Sequence, residues 1–198
     1  MTVTGVRAAA SADSGGGGPE ARAGATVWLT GLPSAGKTTI ARAVGAELDR
    51  PGRRTRVLDG DEIRTELSAG LGFSKEDRNT NVERIGFVAR LLAEHDVLVL
   101  VAAISPYAEG RAAVRARHAA AGVPFLEVHV ATPVEVCADR DVKGLYARQR
   151  AGTLTGLTGV DDPYEPPLSP ELRIPAHAQD IAASVLAVRA LLTERGLA

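Results

Sequence analysis

The sequence predicts an α/β fold: a parallel sheet with helices on both faces and a lid segment. Three observations carry this prediction. An apolar, β-branched run at Thr26–Thr30 leads into a glycine-rich turn and then a helical pattern with Ile40, Val44 and Leu48 on one face. The run VLVLVAA at Val97–Ala103 is continuously apolar, as expected of a strand covered on both sides. Strand-like and helix-like segments alternate from Thr26 onward, which makes successive strands parallel and places a ligand site at their C-terminal ends.

The elements follow in order. Residues 1–24 are rich in Gly, Ala and Ser with nothing periodic to bury, and read as a disordered tail ahead of one domain at 25–198. After the first strand and helix, Arg54–Leu58 is a short strand ending at Asp59-Gly60-Asp61. A helix through Asn81–Glu94 carries Val82, Ile85, Ala89 and Leu92 at helical spacing, and Ser74 with Asp77 three residues on has the pattern of an N-cap before it. Val97–Ala103 is the buried strand. Tyr107–Ala120 reads as an Ala/Arg helix stopped by Gly122 and Pro124. Phe125–Val130 is the next strand, and Pro133–Arg140 a helix with proline in its first turn. Residues 141–170 are dense in Gly, Pro, Asp and Thr and read as a long surface segment, for which a functional lid is one accepted explanation. A last strand at Glu171–Ile174 precedes a helix with Ile181, Val185, Val188 and Leu192 on one face.

Composition narrows the function classes. With 198 residues, 45% hydrophobic and 24% charged, the chain has the make-up of an ordinary globular domain. A net charge of −1 predicts no general affinity for nucleic acid or for an anionic membrane. Cys137 is alone, so no internal disulfide can form; on a mostly apolar stretch it reads as a core thiol. No apolar run approaches the ~20 residues of a membrane span, and the N-terminus lacks a long apolar signal core. The expected location is the cytoplasm.

The chemistry begins at Gly31-Leu32-Pro33-Ser34-Ala35-Gly36-Lys37-Thr38-Thr39. A strand, this loop and a helix N-terminus come in the order that a phosphate cradle requires. Gly31 and Gly36 permit backbone angles that let successive N–H groups point at one anion. Lys37 supplies a point charge for the β/γ-phosphates and Thr38 a hydroxyl for Mg²⁺. The chain has only three lysines, Lys37, Lys75 and Lys143, among its 23 basic residues. Keeping lysine here has a reason, because a compact ammonium fits among phosphate oxygens where a guanidinium fork does not. The fold is therefore that of the P-loop nucleoside triphosphate hydrolases and kinases, with ATP and Mg²⁺ as the expected ligands.

A phosphate loop alone does not name the second substrate. Asp59, Asp61 and Arg64 follow the second strand directly and would face the cradle. One carboxylate could position Mg²⁺ or accept a hydroxyl proton, and the arginine could hold an anion; the plainer alternative is a polar turn in which Asp61 caps the next helix. Arg78 and Asn81 are one helical turn apart, on a site or on a solvated face. Ser105 ends the buried strand, where ligands bind in such sheets, or else caps a helix with Pro106 at its first position. Lys143 opens the long segment.

GLPSAGKTT, LDGDEIR, LGFSKEDRNTNVERIGFVA, AAISPY, DVKGLYARQRAG and TGVDDPYEPP occur in an order and spacing that resemble the adenylylsulfate kinases from about Thr26 to Ile174. Those enzymes phosphorylate the 3′-hydroxyl of adenosine 5′-phosphosulfate (APS) to 3′-phosphoadenosine 5′-phosphosulfate (PAPS). The resemblance implies that Asp59 serves the metal and phosphoryl-transfer centre with Thr38, and that Asp61 with Arg64 engages the sulfated nucleotide. It implies that Phe73, Arg78, Asn81 and Ile104 line the same pocket, and that Ser105 lies beside the transferring phosphate. Lys143, Gly144 and Leu145 would belong to the lid, and Arg140 would lie close to the ATP base. It also implies a homodimer. Two positions depart from the family's pattern. Pro33-Ser34 stands where Ser-Gly is usual, which removes one backbone N–H. Leu157 stands where a phenylalanine commonly packs on the APS adenine.

Two other readings are compatible with a phosphate loop. Another small-molecule kinase, acting for instance on a sugar acid, would share the loop and the lid but has no need of Phe73 with Arg78 and Asn81. A nucleotide-operated switch would carry a guanine-reading Asn-Lys-x-Asp, and no such tetrapeptide occurs.

Overall fold

A computed structural model of the chain describes residues 23–49 and 53–197. The disordered-tail reading therefore lies, up to residue 22, outside the described residues. Among the described residues five strands form one sheet: β1 (Ala25–Thr30), β2 (Arg54–Asp59), β3 (Val97–Ala102), β4 (Phe125–Val130) and β5 (Leu172–Ile174). Their spatial order is β2-β3-β1-β4-β5, and every neighbouring pair is parallel. The helices are α1 (Lys37–Leu48), α2 (Gly60–Leu67), α3 (Lys75–Ala93), α4 (Ala108–Ala120), α5 (Val134–Arg140), α6 (Leu145–Arg150) and α7 (Ile181–Glu194).

The pleat explains the unbroken apolar strands. Leu98, Leu100 and Ala102 of β3 join Val27 and Leu29 of β1 in a core with Ile40, Val44 and Leu48 of α1 and Val185, Val188 and Leu192 of α7. Val99 and Val101 point the other way and join Trp28, with Val82, Ile85 and Ala89 of α3 and Val114 of α4. Both faces of the central strands are covered, so alternation along them is apolar on apolar. Register then fixes the site: Asp59 pairs with Ala102, Ala102 with Leu29, and Thr30 with His129, which puts the C-terminal ends of β1 to β4 side by side.

Several local expectations change. Helix α3 begins at Lys75 rather than Asn81, because Ser74 Oγ accepts from the Asp77 N–H at 3.1 Å and donates to its carboxylate at 3.0 Å. The cap of α2 is Asp59 and not Asp61: Asp59 Oδ1 accepts the Asp61 N–H at 2.9 Å. Ser105 is no helix cap, since α4 starts at Ala108 and its N-cap is Tyr107. Pro133 is the N-cap of α5 rather than its first residue. Ile181 is half exposed at the start of α7, while Val185, Val188 and Leu192 are buried. The segment 141–170 is more than surface loop, for it contains α6 and buries Tyr146, Leu157 and Thr158. Among the described residues no helix is long and apolar enough to cross a membrane.

Candidate active site

A cleft of about 550 Å³ opens at the C-terminal edge of the sheet, within the size range of nucleotide and cofactor pockets. One wall is the loop between β1 and α1. Gly31 has no room for a side chain, since a Cβ there would lie 2.6 Å from the Val130 carbonyl oxygen. Gly36, at φ 106°, caps α1 with a backbone that a side chain would strain. No side chain caps α1, so its first N–H groups are left facing the cleft at Gly36, Lys37, Thr38 and Thr39, with the positive end of the helix dipole behind them. This is an anion site by construction.

Lys37 is buried and donates from Nζ to the Gly31 carbonyl at 2.9 Å and the Leu32 carbonyl at 2.7 Å. Burial pushes its ammonium down to about 8. Carbonyl oxygens solvate the charge without neutralising it, so a phosphate arriving here supplies the missing counter-charge. Thr38 Oγ1 donates to Asp59 Oδ2 at 2.8 Å, while Asp59 Oδ1 holds the N-terminus of α2. Asp59 is thus buried with both oxygens engaged. Among the described residues no group of three His, Cys, Asp or Glu could hold a metal. A paired hydroxyl and carboxylate beside a phosphate cradle is instead the sparse oxygen set that suits Mg²⁺, an ion that keeps its waters and takes substrate phosphates as ligands.

The opposite wall is cationic. The guanidinium carbons of Arg64 and Arg78 lie 4.4 and 5.5 Å from the ring centroid of Phe73. Burial and the charge of Arg78 hold the Arg64 guanidinium below its ordinary range. Two cations converging on an exposed aromatic ring favour an anionic ligand with a flat face. Arg64 also donates to the carbonyls of Leu71 and Gly72, and Arg78 to those of Phe73 (2.9 Å) and Gly156 (2.6 Å) and to Thr158 Oγ1 (3.0 Å). Asn81 Oδ1 is buried in this wall with no hydrogen-bond partner among the described residues, an acceptor open to a ligand's donor. Ile104 and Ser105 close the floor.

The third wall belongs to the segment after α5. Lys143 pairs across the cleft with the Asp61 carboxylate, and Leu145 lines the same space. Asp141 accepts the N–H groups of Tyr146 (3.0 Å) and Ala147 (2.8 Å), fixing the start of α6, and the Tyr146 hydroxyl donates to the Pro33 carbonyl at 3.1 Å. The chain between Gly144 and Asp162 is therefore tied to the phosphate loop at one end and to Arg78 at the other.

The structure brings Pro33 to Thr39, Asp59, Asp61, Arg64, Phe73, Arg78, Asn81, Ile104, Ser105, Lys143 and Leu145 around one cleft. Gly31 and Leu32 stand behind it as acceptors for Lys37. Gly144 is the left-handed N-cap of α6. Arg140 lies outside the lining, donating to the carbonyls of Ala35 (3.4 Å) and Ala176 (3.0 Å). Leu157 does not face the cleft: its N–H is bonded to Asp161 Oδ1 at 2.6 Å, and the turn so formed buries the side chain in the core shared by α1 and α7. Sequence reasoning missed Thr158 and Asp162, which hold Arg78 from the far side; Asp162 lies 3.2 Å from its Nε. Both fall within the TGVDDPYEPP motif, which marked the stretch but not its contact with Arg78.

A separate groove of about 320 Å³ between α3 and α4, lined by Glu83, Phe87, Arg90 and Val114, contains no phosphate loop. It stands apart from this chemistry.

Comparison with known proteins points the same way. The profile of the adenylylsulphate kinase family matches residues 23–175. An adenylyl-sulfate kinase of Microcystis aeruginosa is 54% identical over 173 residues, covering 87% of this chain and 93% of the relative. One of Myxococcus xanthus is 51% identical over 175 residues, covering 88% and 94%. The structure of the Mycobacterium tuberculosis APS kinase CysC in complex with AMPPNP and APS superposes with a TM-score of 0.84 at 47% identity, covering 87% of this chain and 99% of that one. A phosphate loop and a facing cationic wall around one cleft, in a chain this similar over most of its length, make it a member of the adenylylsulfate kinase family.

Proposed function

We infer that the protein transfers the γ-phosphoryl group of ATP to the 3′-hydroxyl of APS, giving PAPS and ADP. The observation that carries this reading is the pairing of two anion sites in one cleft. The bare N-terminus of α1 with Lys37 makes one, and the Arg64–Phe73–Arg78 cluster makes the other. The similar Mycobacterium tuberculosis kinase, solved with an ATP analogue and APS together, supports the same division.

In this reading the loop N–H groups and Lys37 hold the β- and γ-phosphates and stabilise the charge that grows on the oxygens in transfer. Thr38 and Asp59 would hold Mg²⁺, which would neutralise charge on the phosphates during transfer. Phe73 offers a face to the APS adenine, Arg64 and Arg78 balance its phosphosulfate, and Asn81 Oδ1 accepts from a ligand donor. Asp61, exposed and paired among the described residues with Lys143 alone, is the carboxylate that takes the 3′-hydroxyl proton as the oxygen attacks. Lys143 and Leu145 close over both nucleotides, and Ser105 lies on the floor beneath the transferring group. We assign Arg140 to the neighbourhood of the ATP base and the working form to a homodimer.

The direct test is to incubate the purified protein with Mg-ATP and follow the 3′-phosphorylated product from APS and, separately, from adenosine 5′-monophosphate. APS should be strongly preferred. Equal turnover of the two acceptors would remove the assignment of Arg64, Arg78 and Asn81 to an anion pocket.

Lys37 gives a second expectation. Because burial lowers its folded value from 10.5 to about 8, the free protein gains stability as pH rises from about 8 toward 10.5, where only the unfolded chain still holds that proton. Phosphate binding requires the ammonium form. Mg-ATP affinity should therefore be flat below about pH 8 and fall above it, by up to about tenfold per pH unit. Binding at pH 8.5 should take up a proton, read by calorimetry in buffers of different ionisation enthalpy. Lys37→Arg, always charged, should abolish that uptake; uptake persisting in this variant would assign the proton elsewhere.

A further inference from the structure

Ser105 occupies a left-handed conformation, φ 43°, although it is not glycine and is almost fully buried. Such a residue persists only where its surroundings over-determine it. Here the restraints come from an unexpected place. Arg111, in the first turns of α4 and 4% exposed, spends its guanidinium on three segments at once. Nε donates to Glu127 Oε1 of β4, Nη1 to the Ser105 carbonyl and Nη2 to the Glu165 carbonyl, each at 2.7 Å. Glu127 alone would balance the charge, so the two carbonyl bonds are additional.

Glu165 answers from the other side. Its N–H donates to the Pro106 carbonyl at 2.8 Å, and its Oε2 accepts the Ala108 N–H at 2.7 Å, capping α4 where Tyr107 supplies no cap. One residue earlier, the Tyr164 hydroxyl lies 3.1 Å from Thr30 Oγ1. Thr30 has one proton, given to the Ile104 carbonyl at 2.6 Å, so Tyr164 is the donor. The Ile104–Pro106 floor of the cleft is thereby fastened to the last residues of the lid.

We propose that Arg111 and Glu165 are positioning residues: together they hold the strained Ser105 turn in register with the lid's C-terminal end, so that acceptor-site geometry depends on the lid being seated. Neither lines the cleft. The kinetic part of this proposal rests on the acceptor reading above; the mechanical part does not. Arg111→Lys keeps a charge for Glu127 but cannot reach three acceptors with planar geometry. Glu165→Ala removes the cap of α4, and Glu165→Gln retains an acceptor oxygen.

The expected result is a tenfold or greater fall in kcat/KM for APS in Arg111→Lys and a smaller fall of the same kind in Glu165→Ala. The KM for ATP should stay within twofold, and Glu165→Gln should restore near wild-type values. Hydrogen exchange on the free full-length protein should show residues 104–108 and 162–168 losing protection together in Arg111→Lys, with α1 and α3 unchanged. If Arg111→Lys does not fold, Glu165→Ala against Glu165→Gln decides by the same readouts. A lowered melting temperature with unchanged constants for both substrates would overturn the proposal, as would KM for ATP rising as much as KM for APS. A wild-type protein inactive on APS would instead overturn the functional reading, and the exchange coupling would still decide the mechanical link.

Discussion

Lys37→Ala is expected to lower turnover about 10³-fold or more while leaving the fold intact. The charge it removes is the one that the phosphate loop cannot replace with backbone N–H groups, and phosphoryl transfer depends almost wholly on positioning and charge stabilisation. The structure adds a second half to this expectation. Lys37 is buried among carbonyl oxygens, and its lowered proton affinity means that the folded protein holds the ammonium under penalty. Removing it should leave the melting temperature at or above the wild-type value near pH 7, an exchange of activity for stability at one residue. Steady-state turnover and thermal unfolding on the same preparation check both. A variant that keeps a tenth of the wild-type rate would show that the loop does not carry the transfer.

What the sequence showed and what it hid follow from the range of the interactions involved. The phosphate loop, the five strands and the apolar faces of α1 and α3 are local patterns, set by residues within a turn or two of each other. Residues Asp59, Asp61, Arg64, Phe73, Arg78, Asn81 and Lys143 could be nominated because their motifs are contiguous, and register then gathered them around one cleft. The segment 141–170 was legible as unusual composition and as two contiguous motifs, but its long-range contacts were not. Its contacts join residues far apart in the chain, such as Arg78 with Gly156 and Thr158, or Arg111 with Glu165, and no periodicity announces them. Leu157 shows the cost of reading a lid by motif alone. The Asp161 carboxylate turns the chain so that this side chain enters the core. Ile181 shows a simpler limit: helical spacing identifies a face but not where along the helix its burial begins.

The roles of the two aspartates of the Asp59-Gly60-Asp61 turn are separable by experiment because their surroundings differ so much. Asp59 is buried, with one oxygen on Thr38 and the other capping α2. Asp61 is exposed one position inside the helix, and among the described residues its carboxylate pairs with Lys143. Asp61→Asn is nearly isosteric and leaves the α2 cap untouched, so folding should change by no more than the lost charge at a helix N-terminus, about 0.3–1 kcal/mol. The amide, however, cannot accept a hydroxyl proton, and it releases Lys143 from its partner. Turnover of APS should fall by roughly 10²–10⁴-fold, while Mg-ATP binding measured by calorimetry stays close to wild type. Asp59→Asn should do the reverse in binding, weakening Mg-ATP, because it loosens the Thr38 pair beside the phosphate cradle. If Asp61→Asn abolishes Mg-ATP binding and spares APS binding, the metal role passes to Asp61, and Asp59 becomes the residue that orients the acceptor.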